Sequence, residues 1–333
     1  MSRKIISYFL FLVLAALLLY FSFRGVQWGD FKEGLNTARY DWIFVSMAFG
    51  VLAFWLRGAR WRLLIRGAGY RVTNTQAFNA VTIGYLTNFG LPRAGELARC
   101  GALAGTGAPF DALLGTVVLE RAFDTLCLLA ITALVIGLQW SVFGFFMTHH
   151  VWNPFMGLLV GKTFYFIAIL LFLTLLAVFA FIYRKRLLSL FVFKKIYALA
   201  VGVIHGFKSG YKMQQRWPFF GYTLGLWICY LAMSFCTIQA FSAVSALNLL
   251  DAAFLMVVGS LGWVLPVQGG IGAYHFIVSL ALTSVYGVSQ TEGLIFATVS
   301  HGSQALTMIV FGLISLFSSC QFYQIGKNRK EVI

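Results

Sequence analysis

Acidic residues are scarce in this sequence: ten Asp and Glu stand against 25 Lys and Arg in 333 residues, and charged residues make up only 11%. Soluble domains carry about 25% charged residues, so the shortage excludes an ordinary water-soluble globular protein. Prolines number five, so long helical runs are seldom interrupted. The five cysteines, at 100, 127, 229, 236 and 320, lie in or beside apolar segments without metal or redox spacing. They read as packing residues. No stretch has the composition of an independent soluble domain, so a single transmembrane domain is expected over 1–333.

What fills the chain instead is apolar: 60% of residues are hydrophobic, in runs long enough to cross a bilayer at roughly 20 residues each. Thirty-three glycines fit membrane helices, where small residues permit close packing. The net charge of +15 could point to nucleic acid, but the basic residues gather at 57–71, 184–216 and 327–330, between or after apolar runs. That is a positive-inside bias. It argues for anionic lipid headgroups as partners and against nucleic acid. Residues 1–23 have a basic start and a long apolar core without a small-x-small site, and read as a retained first helix.

Lengths and charges together predict about six full crossings, near 5–23, 42–57, 112–138, 162–183, 217–244 and 293–318. Residues 24–41 form a short, nearly neutral outer loop. Five arginines at 57, 60, 62, 66 and 71 mark the cytoplasmic end of the second crossing, which places both termini inside. Residues 139–155 lack Lys and Arg and face outward, whereas 184–216 carry eight Lys or Arg and no acid, as an amphipathic cytoplasmic element does.

Two segments remain, 76–110 and 252–286, each of about 35 residues with a break near its middle. Two full crossings need about 30 Å of helix each plus a turn, so two helical hairpins dipping from opposite faces fit the length better. The breaks read NFGLPRAGEL (88–97) and GWVLPVQGGIG (262–272), each a Leu-Pro pair before a glycine-containing turn. Proline removes a backbone donor and glycine tolerates left-handed angles, so Pro92, Gly95, Pro266 and Gly272 are the expected hinges. Non-helical backbone at membrane depth survives only when buried in protein or lining a cavity. Paired interruptions in two opposed halves point to a transporter's central site. The expected fold is therefore an all-α polytopic membrane protein of about eight membrane segments, with an inverted-repeat, transporter-like plan.

The remaining charges concentrate near the first break. Arg93, Glu96 and Arg99 follow it, and Glu120, Arg121 and Asp124 sit in an otherwise apolar run from Ala112 to Val135. An ionisable residue at such depth is expensive unless paired or facing water. Two readings stand. In one, Arg93 and Arg99 are neutralised by Glu120 and Asp124 in a structural ion network, with Glu96 and Arg121 completing it. In the other, the arginines receive an anionic headgroup, since guanidinium groups chelate phosphate through a rigid fork. Asn79 and Asn88 are further polar candidates on the first hairpin. Gln268, Gly269, Gly270 and His275 are their counterparts on the second. His275 and His301 are each either a hydrogen-bonded packing residue or a cavity group, and the outer-loop pair His149 and His150 lacks further ligands for a metal. No cofactor or metal is expected. Glu120 and Asp124 imitate an acid/base pair, yet no nucleophile–base set or nucleotide fingerprint accompanies them, so the expectation is not an enzyme.

The stretches LRGARWRLLI (56–65), IGYLTNFGLPRAGELARC (83–100), GTVVLERAFD (115–124) and LPVQGGIGAYH (265–275) resemble the lysylphosphatidylglycerol synthase transmembrane region family, a flippase-like domain family, over about residues 5–320. The resemblance implies a polytopic protein of the bacterial inner membrane with lipid translocation as its activity. In two-domain members a flippase moves aminoacylated phosphatidylglycerol made by a following cytoplasmic transferase. This chain reads as a stand-alone member without that transferase, so a separate lipid-modifying enzyme is the implied partner. The family's importance carries to Asn88, Pro92, Gly95, Glu96, Arg99, Glu120, Arg121, Asp124, Pro266, Gly269, Gly270 and Gly272. His275 stands where many relatives have an acid. The expected function is a flippase or transporter of an anionic phospholipid or polyprenyl-linked lipid. The alternatives are a membrane accessory protein with a purely structural ion network and an intramembrane lipid-phosphate enzyme.

Overall fold

The computed structural model describes residues 3–91, 94–141, 215–264 and 267–330, with isolated positions between 144 and 174. Nearly all of the expected crossing at 162–183 and of the basic segment 184–216, and His149, His150, Pro92, Arg93 and Pro266, lie outside the described residues. Contacts divide the chain into two compact units, residues 1–138 with 213–333 and residues 139–212. All ten helices considered below belong to the first.

These helices are α1 (Arg3–Phe23), α2 (Trp28–Asn36), α3 (Tyr40–Gly67), α4 (Asn74–Gly90), α5 (Gly95–Gly101), α6 (Phe110–Leu138), α7 (Arg216–Gln239), α8 (Leu249–Val264), α9 (Ala273–Tyr286) and α10 (Gln290–Lys330). No strand occurs among the described residues. Five segments are long and apolar enough to cross a membrane: Tyr40–Gly67, Phe110–Leu138, Arg216–Gln239, Gln268–Tyr286 and Gln290–Ser319. A sixth forms if Phe11–Phe23 and Trp28–Asn36, bent by 86° at their junction, count as one span. Exposed Leu129, Leu134, Leu224, Ile228, Val310 and Phe317 give these helices outward apolar faces, the reverse of a soluble protein. The protein is a multi-pass membrane protein.

Two expectations need correction. The second crossing does not end at Arg57: α3 continues unbroken to Gly67, carrying Arg57 and Arg60 into the protein. The outer loop at 24–41 is not all loop, because α2 occupies Trp28–Asn36 and packs on α10, with Gly34 facing Ile295.

The first broken segment starts from a capping box, in which Thr73 Oγ1 accepts from the Gln76 N–H and the Thr73 N–H donates to Gln76 Oε1. It stops where proline dictates. Leu91, the residue before Pro92, is extended at φ −130°, ψ 106°. The return helix α5 has only seven residues, about 10 Å of rise. Gly84 and Gly95 let α4 and α5 touch backbone to backbone, where a Cβ on Gly95 would meet the Gly84 carbonyl and the Asn88 amide. The second segment is more even, with 16 residues in α8 and 14 in α9. Between them Gly269, Gly270 and Gly272 all take positive φ.

Each half of the unit thus runs long helix, broken pair, long helix: α3, α4–α5, α6 and then α7, α8–α9, α10. The broken pair of each half packs on the long helix before it, and its first arm packs on the last helix of the other half, α4 on α10 and α8 on α6. The two leading helices, α3 and α7, pack on each other. The connections gather at two ends. At one, the Arg39 N–H donates to the Ala240 carbonyl (2.9 Å) and Gln290 Nε2 donates to the carbonyls of Arg24 (2.9 Å) and Ser22 (3.4 Å). At the other, Tyr70, Val72, Ala102, Leu103, Ala108 and Phe219 share one apolar cluster.

Candidate functional site: a buried arginine cluster beside a central cavity

On α3, Arg57, Arg60, Trp61 and Leu64 follow one another at helical spacing and share a face. On α6, Thr116, Glu120 and Asp124 do the same at intervals of four. Packing these faces together brings two arginines against two carboxylates. Arg57 Nη1 donates to Glu120 Oε1 and Asp124 Oδ2, both at 2.9 Å, while its Nη2 donates to the Tyr230 hydroxyl of α7 (3.1 Å). Arg60 Nη2 donates to Asp124 Oδ1 (2.6 Å) and Glu120 Oε1 (3.4 Å), and Nη1 to Thr223 Oγ1 of α7 (3.3 Å). From the short return helix, Arg99 Nη2 donates to Glu120 Oε2 (2.5 Å). The Arg99 guanidinium also lies 4.0 Å above the Trp61 ring, whose Nε1–H is held by Thr116 Oγ1 (2.9 Å). Glu120 and Arg60 are fully buried and Arg99 nearly so. A second, half-exposed pair, Arg121 with Glu96 at 3.1 Å, ties α6 to the start of α5.

Three arginines face two carboxylates in the buried cluster, and the Arg121–Glu96 pair adds no net charge. Among the described residues the cluster therefore keeps one uncompensated positive charge, a state that low-dielectric surroundings make costly without an anion nearby. The Nε–H groups of Arg57, Arg60, Arg99 and Arg121 and the Oε2 of Glu96 have no hydrogen-bond partner among the described residues.

Beside the cluster lies a cavity of about 490 Å³. Its charged lining is Arg57, Glu96, Arg121 and Asp124. Asn88 and Phe89 come from the end of α4, Trp263 from the end of α8, and Val267, Gly269 and Gly270 from the second break. Tyr274, Ser300 and Gln304 come from α9 and α10. Trp227, Tyr230, Met233, Met256 and Met308 supply much of the apolar surface. Both helix breaks thus open on one space.

Of the residues singled out from sequence, Asn88, Glu96, Arg121, Asp124, Gly269 and Gly270 line this cavity. Asn88 is partly committed, because its Oδ1 accepts from the Gly95 N–H (2.8 Å) and so caps the return helix. Glu120 and Arg99 stand behind the wall, in the ion cluster. His275 is buried against His301, with ring centroids 5.0 Å apart. Gly272 faces the Ala15 carbonyl and Leu18 of α1. Gln268 opens the 3-10 turn, and its carbonyl accepts from the Ile271 N–H. Asn79 is buried at the α4–α10 contact, where its Oδ1 accepts from Ser315 (3.1 Å).

Sequence reasoning named Arg93 and Arg99 as the partners of Glu120 and Asp124. Arg99 does pair with Glu120 and Arg93 lies outside the described residues, but Arg57 and Arg60, read from sequence only as marks of sidedness, also pair with both acids. Both missed arginines sit in a basic run whose simplest meaning is membrane sidedness. The signal that separates them from Arg62 and Arg66 is their i, i+3 spacing with Trp61, opposite an acid pair at i, i+4.

No curated protein and no solved structure gives a match to this chain. A family model does: the one described as "Lysylphosphatidylglycerol synthase TM region" matches residues 8–312. That span takes in α3, α6 and α7, the first half of α10, both breaks and every residue of the ion cluster, and the protein belongs to the lysylphosphatidylglycerol synthase transmembrane-region family.

Proposed function

We propose that the protein is a flippase or lipid transporter that carries a phosphate-bearing lipid, either an anionic phospholipid or a polyprenyl-linked lipid, across the bacterial inner membrane. The observation that carries this reading is the cavity shared by the two helix breaks, with Arg57 and Arg121 in its wall and a net positive cluster behind it. A phosphate matches the missing charge and the fork geometry of guanidinium. The aromatic and methionine lining suits the apolar part of a lipid next to its headgroup. The exchange of packing partners between the two halves supports an inverted repeat that rocks about a central site. In this reading the end holding 68–73 and 102–109 is cytoplasmic, both termini lie on that side, and a separate lipid-modifying enzyme supplies the substrate.

A second reading, an accessory protein whose ion cluster only packs, draws on one observation: each of Arg57, Arg60 and Arg99 already has a carboxylate partner. Reconstitution separates the two. Purified protein in liposomes should move labelled phosphatidylglycerol or polyprenyl phosphate between leaflets at a headgroup-dependent rate, and Arg57→Gln should abolish that movement. Failure to move any member of a phospholipid and polyprenyl-phosphate panel would favour the accessory role. A chemically altered lipid recovered from the vesicles would favour an enzyme.

A further inference from the structure

Behind the cavity wall, the second break covers a pair of histidines. His301 on α10 lies 2.7 Å through Nε2 from the Gly269 carbonyl oxygen. A carbonyl can only accept, so the ring carries a proton on that nitrogen. His275 on α9 is 7% exposed, and its Nδ1 has no partner among the described residues. The two rings are 5.0 Å apart. Trp263 and Tyr274, both lining the cavity, flank His301 at 5.1 and 5.4 Å.

The bond to Gly269 explains one histidine as a structural donor and leaves the other unexplained. The titratable groups facing the pair are each other and the Tyr274 phenol, which is hydrogen-bonded to Ser300 of α10. Of the other elements packed here, α1 meets the turn through Ala15 and Leu18, α4 through Phe89 and α8 through Trp263. Among the described residues no carboxylate or guanidinium is hydrogen-bonded to either ring.

We propose that His275 and His301 form a proton-binding site coupled to the cavity, so that an anionic headgroup enters together with one proton. This deepens the transport reading and rests on it. Two imidazolium rings 5.0 Å apart repel each other, so the pair holds a single proton. That proton has no carboxylate bonded to either ring among the described residues, and an anion in the adjoining cavity supplies a counter-charge beyond Glu96 and Asp124, which are already paired with arginines. Linkage then works both ways: the proton raises headgroup affinity by the factor by which the headgroup raises proton affinity. The contact that transmits the change is the His301–Gly269 bond, which becomes charge-assisted on protonation. Gly269 belongs to the turn between α8 and α9 and lies against Phe89 at the end of the first hairpin's long arm. A headgroup that travels with a proton is moved in a net direction by the proton gradient.

Calorimetry of the full-length protein with a short-chain phosphatidylglycerol, in two buffers of different ionisation heat, reads the coupling directly. Wild type should take up about one proton per lipid bound, with affinity falling about tenfold per pH unit between roughly pH 6 and pH 8. His301→Gln keeps a donor for the Gly269 carbonyl. That variant and His275→Gln should keep their thermal stability, bind without proton uptake and lose the pH dependence. Undiminished uptake in both variants overturns the proposal. A second measurement needs no lipid. The chain has five histidines, so labelled-histidine NMR with the two variants identifies both rings. His301→Gln should move the His275 midpoint by about one pH unit. Unmoved midpoints overturn the proton site whether or not lipid binds, whereas absence of binding by every lipid tried, with the midpoints coupled, counts against the transport reading alone.

Discussion

Glu120 accepts hydrogen bonds from three guanidinium groups with its side chain wholly shielded from solvent. Glu120→Gln leaves those arginines with Asp124 as their one carboxylate, and removing one member of a buried ion cluster costs roughly 3–5 kcal/mol. The variant should purify in low yield with a depressed melting temperature. Adding Arg99→Gln returns the cluster to its original net charge, so the double variant should recover folding on the same melting assay. Arg57 and Arg60 should part company. Arg60 is fully buried and absent from the cavity lining, so Arg60→Gln should lose folded protein. Arg57 faces the cavity, so Arg57→Gln should fold yet lose lipid-phosphate binding, measured by calorimetry on purified protein. The acids of this site were legible in the sequence because a Glu and an Asp one turn apart are conspicuous in an apolar run. Arg99, close after the first break, was legible too, whereas Arg57 and Arg60 were not, since a guanidinium one turn from a crossing's expected end has the same sequence signature whether it snorkels to water or turns inward.

The breaks in the helices were legible for a physical reason: Leu-Pro followed by glycine leaves the backbone little choice. Their lengths were not. The return arm α5 stops at Gly101 and gives way to a loop in which Gly105 and Gly107 adopt positive φ, so the first segment is long on one side and short on the other. What fixes the short arm is tertiary, namely the Asn88 bond to the Gly95 N–H and the contact of Gly84 with Gly95. Asn88→Ala removes that cap at a cost of about 1 kcal/mol and should speed hydrogen exchange in α5 while leaving α4 protected. Gly95→Ala forces a methyl group onto the Gly84 carbonyl and the Asn88 amide. It should destabilise more than Asn88→Ala on the same exchange map; equal or smaller effects would mean the arms do not hold each other this way.

For the molecule as a whole, the two ends differ in charge. The end joined by the Arg39–Ala240 and Gln290–Arg24 bonds carries Asp30, Glu33, Asp41, Asp251 and Glu292 against Arg24, Lys32 and Arg39. The opposite end carries Arg66, Arg71 and Arg216 against Asp111. Thr37→Cys and Asn248→Cys should therefore react with an impermeant thiol reagent from outside the cell and Gly69→Cys only after permeabilisation, and any other partition would reverse the sidedness. The positions of the ion-pair partners along the chain have a further consequence, for synthesis. Arg57 and Arg60 leave the ribosome about 60 residues ahead of Glu120 and Asp124, a wait of roughly 3–12 s at ordinary elongation rates. During that interval α3 lacks the two carboxylates it meets in the finished protein, and in the proposed orientation its arginines would lie at the cytoplasmic headgroups and fix its orientation. On that orientation the arrival of α6 would draw them inward, and the same two side chains would serve first as an address label and later as a structural clasp. A nascent chain halted before Glu120 should hold Arg57 and Arg60 nearer the cytoplasm than the finished protein does, a displacement that site-specific crosslinking to the insertion machinery can follow residue by residue.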